Sequence, residues 1–103
     1  MHNIFTPNTQ DTSKEIFDTL LQTNNIQIEK ITSHGQTSDE WYEQDRDEWV
    51  VLIEGEGRLL FDNENEVTLA KGEHIYIPSM KRHKVIYTST PAVWLAIYFK
   101  TEQ

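Results

Sequence analysis

Two residue types in this chain could do proton chemistry if the fold brings them together: the carboxylate of Glu48 and the imidazole of His83. Glu48 ends an acid-rich stretch, Asp39 to Glu48, just before the apolar run Trp49–Ile53. His83 stands where the loop Ser79–Arg82 hands over to the β-branched pair Val85 and Ile86, at a junction of loop and strand that often carries a ligand. A carboxylate and an imidazole within reach of one substrate form a general acid–base pair of the kind used in isomerisation or epimerisation. The plainer alternative is that they pair with each other, or with Arg46 or Arg82, and simply fill a polar site.

The elements that must position them are short. In GEHIYIPSMKRHKVIY (Gly72–Tyr87), Gly72 opens a strand and Pro78, which has no N–H to give a ladder, closes it. In the earlier stretch YEQDRDEWVVLIEGEG, Glu48 precedes Gly55. Alternation along a strand puts Glu48, Val50 and Leu52 on one face, and His83, Val85 and Tyr87 on another.

These two stretches resemble the two halves of the cupin signature. Glu48 and Gly55 match the first half; Gly72, Pro78 and His83 match the second. Where the family has two histidines ahead of its glutamate, this chain has Tyr42 and Gln44 if the gap is three residues, or Trp41 and Glu43 if it is four. The three-residue gap keeps 42, 44 and 48 on one face without a bulge. Met80 stands for the second glycine and Tyr87 for the terminal asparagine. The resemblance implies an all-β, double-stranded β-helix (jelly-roll barrel), a small-molecule pocket, and a homodimer. It also implies a divalent-metal site, here reduced to Gln44, Glu48 and His83, with Tyr42 as an added proton donor. Zn²⁺, Ni²⁺, Mn²⁺ or Fe²⁺ would bind such a set more weakly than three imidazoles. His34 is a candidate to replace a lost histidine. His74 reads as a surface residue and His2 as part of an arm.

Composition narrows the partners. A formal charge of −8 and a pI near 4.8 disfavour nucleic acid and anionic membranes, since phosphate contacts need a basic surface. The chain has no cysteine, hence neither a disulfide nor a thiolate metal site. No apolar run is long enough to span a bilayer, and the first residues lack the blocks of a signal peptide, so the expected location is cytoplasmic.

At 103 residues the chain is sized for one domain, expected as an arm (1–24), a barrel (25–100) and a tail (101–103). Thr12 and Glu15 have the form of a capping box, and Ile16, Phe17, Leu20 and Leu21 recur at helical spacing, which predicts a helix from Thr12 to about Gln22. From Ile26 the pattern turns to about eight short strands broken by Gly, Asn and Pro, as in an antiparallel sandwich or barrel. Ile31 breaks the parity of Ile26 and Ile28, which suggests a bulge or a turn near Glu29–Lys30. Trp49/Val51/Ile53 and Trp94/Ala96/Tyr98 are the faces expected to be left for the helix or a second subunit.

Three functions fit this reading. They are a metal-free ligand-binding or sensory module, a metal-dependent isomerase or dioxygenase acting on a small sugar or organic acid, and a structural dimer partner. The sequence names no substrate and leaves open whether the chain is an enzyme.

Overall fold

The computed structural model describes residues 1–6, 12–63 and 65–100. Eight strands follow one another: β1 (Ile16–Gln22), β2 (Ile26–Ser33), β3 (Asp47–Glu54), β4 (Glu56–Phe61), β5 (Glu66–Ala70), β6 (His74–Ile77), β7 (His83–Thr88) and β8 (Ala92–Phe99). They form a five-stranded sheet, β1-β2-β8-β3-β6, facing a three-stranded sheet, β5-β4-β7. Neighbours pair antiparallel throughout. The fold is all-β, as the strand spacing predicts.

The core lies between the sheets, where period-two alternation sends every second side chain. Val50 and Leu52 of β3, Leu59 and Phe61 of β4, Ile77 of β6 and Trp94 and Ala96 of β8 are buried there. A closely fitted pair sets the spacing: a Cβ at Gly57 would run into the indole of Trp94. Gly57 is therefore a close-approach glycine of a strand interior. Short turns join the strands except for the long connection 34–46 before β3, and Gly55 takes a left-handed φ of 83° between β3 and β4.

Three expectations need correction. No helix occurs among the described residues, and Ile16–Gln22 is a strand paired with β2, Ile16 opposite Thr32 and Phe17 opposite Ile31. A helix of about ten residues is marginal alone, whereas the free edge of β2 offers a full ladder. The register shifts between Thr19 and Leu21, so one extra residue gives a strand the apolar spacing of a helix. Ile16 is buried, but Phe17, Leu20 and Leu21 are about half exposed.

The bulge or turn expected at Glu29–Lys30 is absent, since β2 pairs with β8 unbroken from Ile26 to Ser33. Ile31 packs inward on the core, whereas Ile26 and Ile28 lie on the outer side, with Ile26 41% exposed. Trp94, Ala96 and Tyr98 face the interior rather than solvent or a partner. Their place on the outer side of β8 is taken by Leu95, Ile97 and Phe99, all half-buried. No helix of the described residues is long and apolar enough to cross a membrane.

Candidate functional site

Glu48 enters the interior because it shares a face with Val50 and Leu52, and it pairs across the sheet with Tyr98 on one side and Ile77 on the other. His83 begins β7 in the opposite sheet. Both are almost fully buried, at 7% and 6% exposure. The carboxylate Oε1 of Glu48 lies 3.9 Å from Nε2 of His83.

The segment before β3 is not an unbroken strand, yet it delivers two more groups. Tyr42 and His83 are joined by main-chain bonds in both directions, Tyr42 N to His83 O at 2.7 Å and His83 N to Tyr42 O at 3.0 Å. That bridge sets the Tyr42 ring 5.9 Å from the imidazole, with the ring half exposed at the mouth. The Gln44 side-chain amide donates to Glu48 Oε1 at 2.9 Å. Trp41, on the other side of the chain, lies instead beneath the cations of Arg82 and Lys84, and Glu43 is exposed. Of the two spacings open in the sequence, the structure turns 42 and 44 toward Glu48.

Met80 has a left-handed φ of 68°, the backbone state that glycine adopts without strain. Its N–H bonds the main-chain oxygen of Gln44 at 2.6 Å, so this turn helps to hold the Gln44 segment.

These side chains line a cavity of about 180 Å³. Its remaining walls include Phe17, Val50, Leu59, Trp94 and Tyr98, with Glu15 as the further acid. Glu15 accepts a hydrogen bond from Ser33 Oγ at 2.8 Å. Glu15 and Phe17 come from the segment expected as a helix, where they read as a capping residue and part of an apolar stripe rather than as cavity wall. Trp94 and Tyr98 were legible only as alternate residues of one strand whose inner face the sequence does not reveal.

Electrostatics at the centre follow from burial. Desolvation pushes the Glu48 carboxyl above its ordinary range, opposed by the Gln44 hydrogen bond and by His83. Burial, with the Glu48 and Glu29 charges, likewise pushes the Tyr98 phenol far up, so it stays protonated. On His83, Nδ1 lies 3.0 Å from the Lys81 carbonyl oxygen. A carbonyl only accepts, so Nδ1 carries the hydrogen, and in the neutral tautomer it is Nε2 whose lone pair faces Glu48.

The other histidines stand apart. His34 does not line the cavity; its N–H bonds the Gln36 side chain. His74 is exposed and accepts from Trp49 Nε1 at 3.1 Å on the outer face.

Residues 29–98 match the family model of the cupin domain. The chain is a cupin. Among solved structures it is similar to a protein from Ralstonia eutropha named as a putative mannose-6-phosphate isomerase, at 30% identity and TM-score 0.91, covering 98% of each chain. An RmlC-like cupin protein from Desulfovibrio desulfuricans shares the fold at 20% identity and TM-score 0.81, with 96% of this chain and 94% of that one covered. So does a cupin superfamily protein from Desulfitobacterium hafniense, at 18% identity and TM-score 0.78 over 89% and 83% of the two chains. No curated protein matches this cupin.

Cupin domains often bind metals, but the donor set of this one does not fit a resident ion. Among the described residues no three His, Cys, Asp or Glu side chains converge. Only Glu48 and His83 offer strong donors, and Gln44 spends its amide N–H on Glu48 rather than turning its oxygen to a shared point.

Proposed function

We propose that this cupin binds a small organic molecule in the cavity between its sheets, with Glu48 and His83 as the groups that hold it and handle its proton. One observation carries the reading. Two buried groups, an acid with a raised pKa and an imidazole nitrogen, face each other across a gap too long for a direct hydrogen bond. An atom placed between them would bond to both. The mostly apolar walls supply the burial that a small ligand needs.

Proton transfer between two positions of the bound molecule, as in an isomerisation, is the reaction this pair suits, with Tyr42 at the mouth as a further donor. The name of the Ralstonia relative points the same way. The metal-dependent reading, with Gln44, Glu48 and His83 around a divalent ion, asks more of the site, because two strong donors would have to do the work of four. For quaternary structure we propose a homodimer through the outer face of the five-stranded sheet, where Trp49, Val51, Leu95 and Ile97 form a half-buried apolar row. Sedimentation of wild type against Leu95→Glu tests it.

The functional test is a thermal-shift and calorimetric screen with small sugars, alcohols, amines and organic acids, alongside elemental analysis of the protein as purified. Ligand binding lost in Glu48→Ala and His83→Ala is the expected result. A stoichiometric bound metal would replace this reading with the metal-dependent one.

A further inference from the structure

The cavity has a consistent hydrogen-bonding polarity. In the neutral ring of His83 the lone-pair acceptor is Nε2, because Nδ1–H is committed to the Lys81 carbonyl. Glu48 offers carboxylate oxygens, and so does Glu15, whose Oε2 accepts from Ser33. Of the donors in the lining, the Gln44 amide already gives a hydrogen to Glu48 and the Tyr98 phenol one to Glu29, while the Tyr42 hydroxyl belongs to a half-exposed ring at the mouth. No lysine or arginine lines the cavity. Arg46 is held outside it, bonded to Gln27 Oε1 at 2.6 Å and lying 4.2 Å over the Tyr98 ring. The other walls carry aromatic rings, Phe17, Tyr42, Trp94 and Tyr98.

Acceptors, carboxylates and aromatic rings in a desolvated space attract one kind of ligand. We propose that the cavity of this cupin selects a compact organic cation, a protonated amine whose N–H groups reach Glu48 and His83 Nε2 while its carbons lie against the rings. The inference rests on the small-molecule reading above and names its ligand class. An ammonium brings only donors, which complements a site of acceptors. Its charge replaces the hydration that Glu48 lost on burial, and aromatic faces favour a cation when water is excluded. A carboxylate or phosphate brings only acceptors and negative charge to two acids, and the site rejects it.

The test uses three probes of nearly equal size, isobutylamine, isobutanol and isobutyrate, added to the full chain at about 0.15 M salt so that the acidic surface is screened. Chemical-shift titration of the Trp94 indole N–H reports occupancy of the cavity itself. The expected order is amine first, alcohol at least tenfold weaker, and acid without effect. Glu48→Gln lowers the amine affinity at least tenfold and leaves that of the alcohol unchanged; the dispersion of its spectrum verifies the fold. Alcohol or acid binding as tightly as amine overturns the proposal and leaves the small-molecule reading intact. No shift with any probe overturns it too, and the wider screen then judges the small-molecule reading separately.

Discussion

Glu48 and His83 reach the same point from opposite sheets, Oε1 and Nε2 3.9 Å apart, although thirty-four residues that include the whole of β4, β5 and β6 lie between them in the chain. Burial is what makes the pair informative. The carboxyl is worth more to the folded chain protonated than ionised, because the cost of desolvating its charge exceeds what Gln44 and His83 return.

That imbalance fixes a sign. A carboxyl whose folded pKa is raised contributes stability that is present below its unfolded pKa and is lost as pH rises through the folded value. Glu48→Gln should therefore be more stable than wild type at neutral pH, with the difference shrinking to nothing as pH falls below the usual carboxylate range. Urea unfolding of both proteins from pH 4 to 8 measures it. Wild type more stable than Glu48→Gln at neutral pH would mean that His83 and Gln44 outweigh desolvation.

The close approach of Gly57 and Trp94 gives a packing prediction. Gly57→Ala should cost about 1–3 kcal/mol, as over-packing of a filled core does, and should displace the indole that lines the cavity. Gly72→Ala is the control: its φ is 87° with open space around a Cβ, so it reports backbone strain alone. Equal losses in denaturant unfolding would remove the packing argument.

Met80 makes the opposite test. Met80→Gly relieves a left-handed non-glycine backbone but adds freedom to the unfolded chain, and the net gain should be about 0–1 kcal/mol. A loss beyond about 1 kcal/mol would show that the half-exposed side chain contributes packing of its own.

Strand and helix in the first segment are distinguishable by truncation. Ile16→Ala should cost about 2–4 kcal/mol, while Leu20→Ala and Leu21→Ala, half exposed, should each cost less than about 1 kcal/mol. A docked helix would lose comparable stability at all of them.

The degraded metal set can be rebuilt. Tyr42→His with Gln44→His places two imidazoles on the side of Glu48 and His83, and should raise Zn²⁺ or Ni²⁺ affinity at least tenfold; adding His83→Ala should cancel the gain. Calorimetry on the three proteins decides it. No gain in the double variant would mean that positions 42 and 44 do not converge on one point with the other two.

The sequence made the barrel legible where spacing is local. Glu48 to Gly55 and Gly72 through Pro78 to His83 are fixed by single strands and turns, and the same numbers recur in three dimensions. It misled where one bulged residue imitates another period: Ile16, Phe17, Leu20 and Leu21 satisfy a helix because β1 slips its register beyond Thr19. It misplaced Glu15, read as a helix cap, and Trp94, read on an outer face, since which face of a strand turns inward depends on the sheet opposite. Alternation alone shows two faces and does not say which is covered.

The paired main-chain bonds between Tyr42 and His83 have a wider implication. They are made by peptide groups, which every residue type but proline provides on both sides, so the bridge does not depend on what either side chain is. Positions 42 and 83 would keep their spacing through any exchange of phenol, imidazole, amide or carboxylate at those places. Reactivity in this barrel is thus carried by interchangeable inserts on a frame indifferent to them. A single frame of this kind can be re-equipped for a different reagent without being refolded.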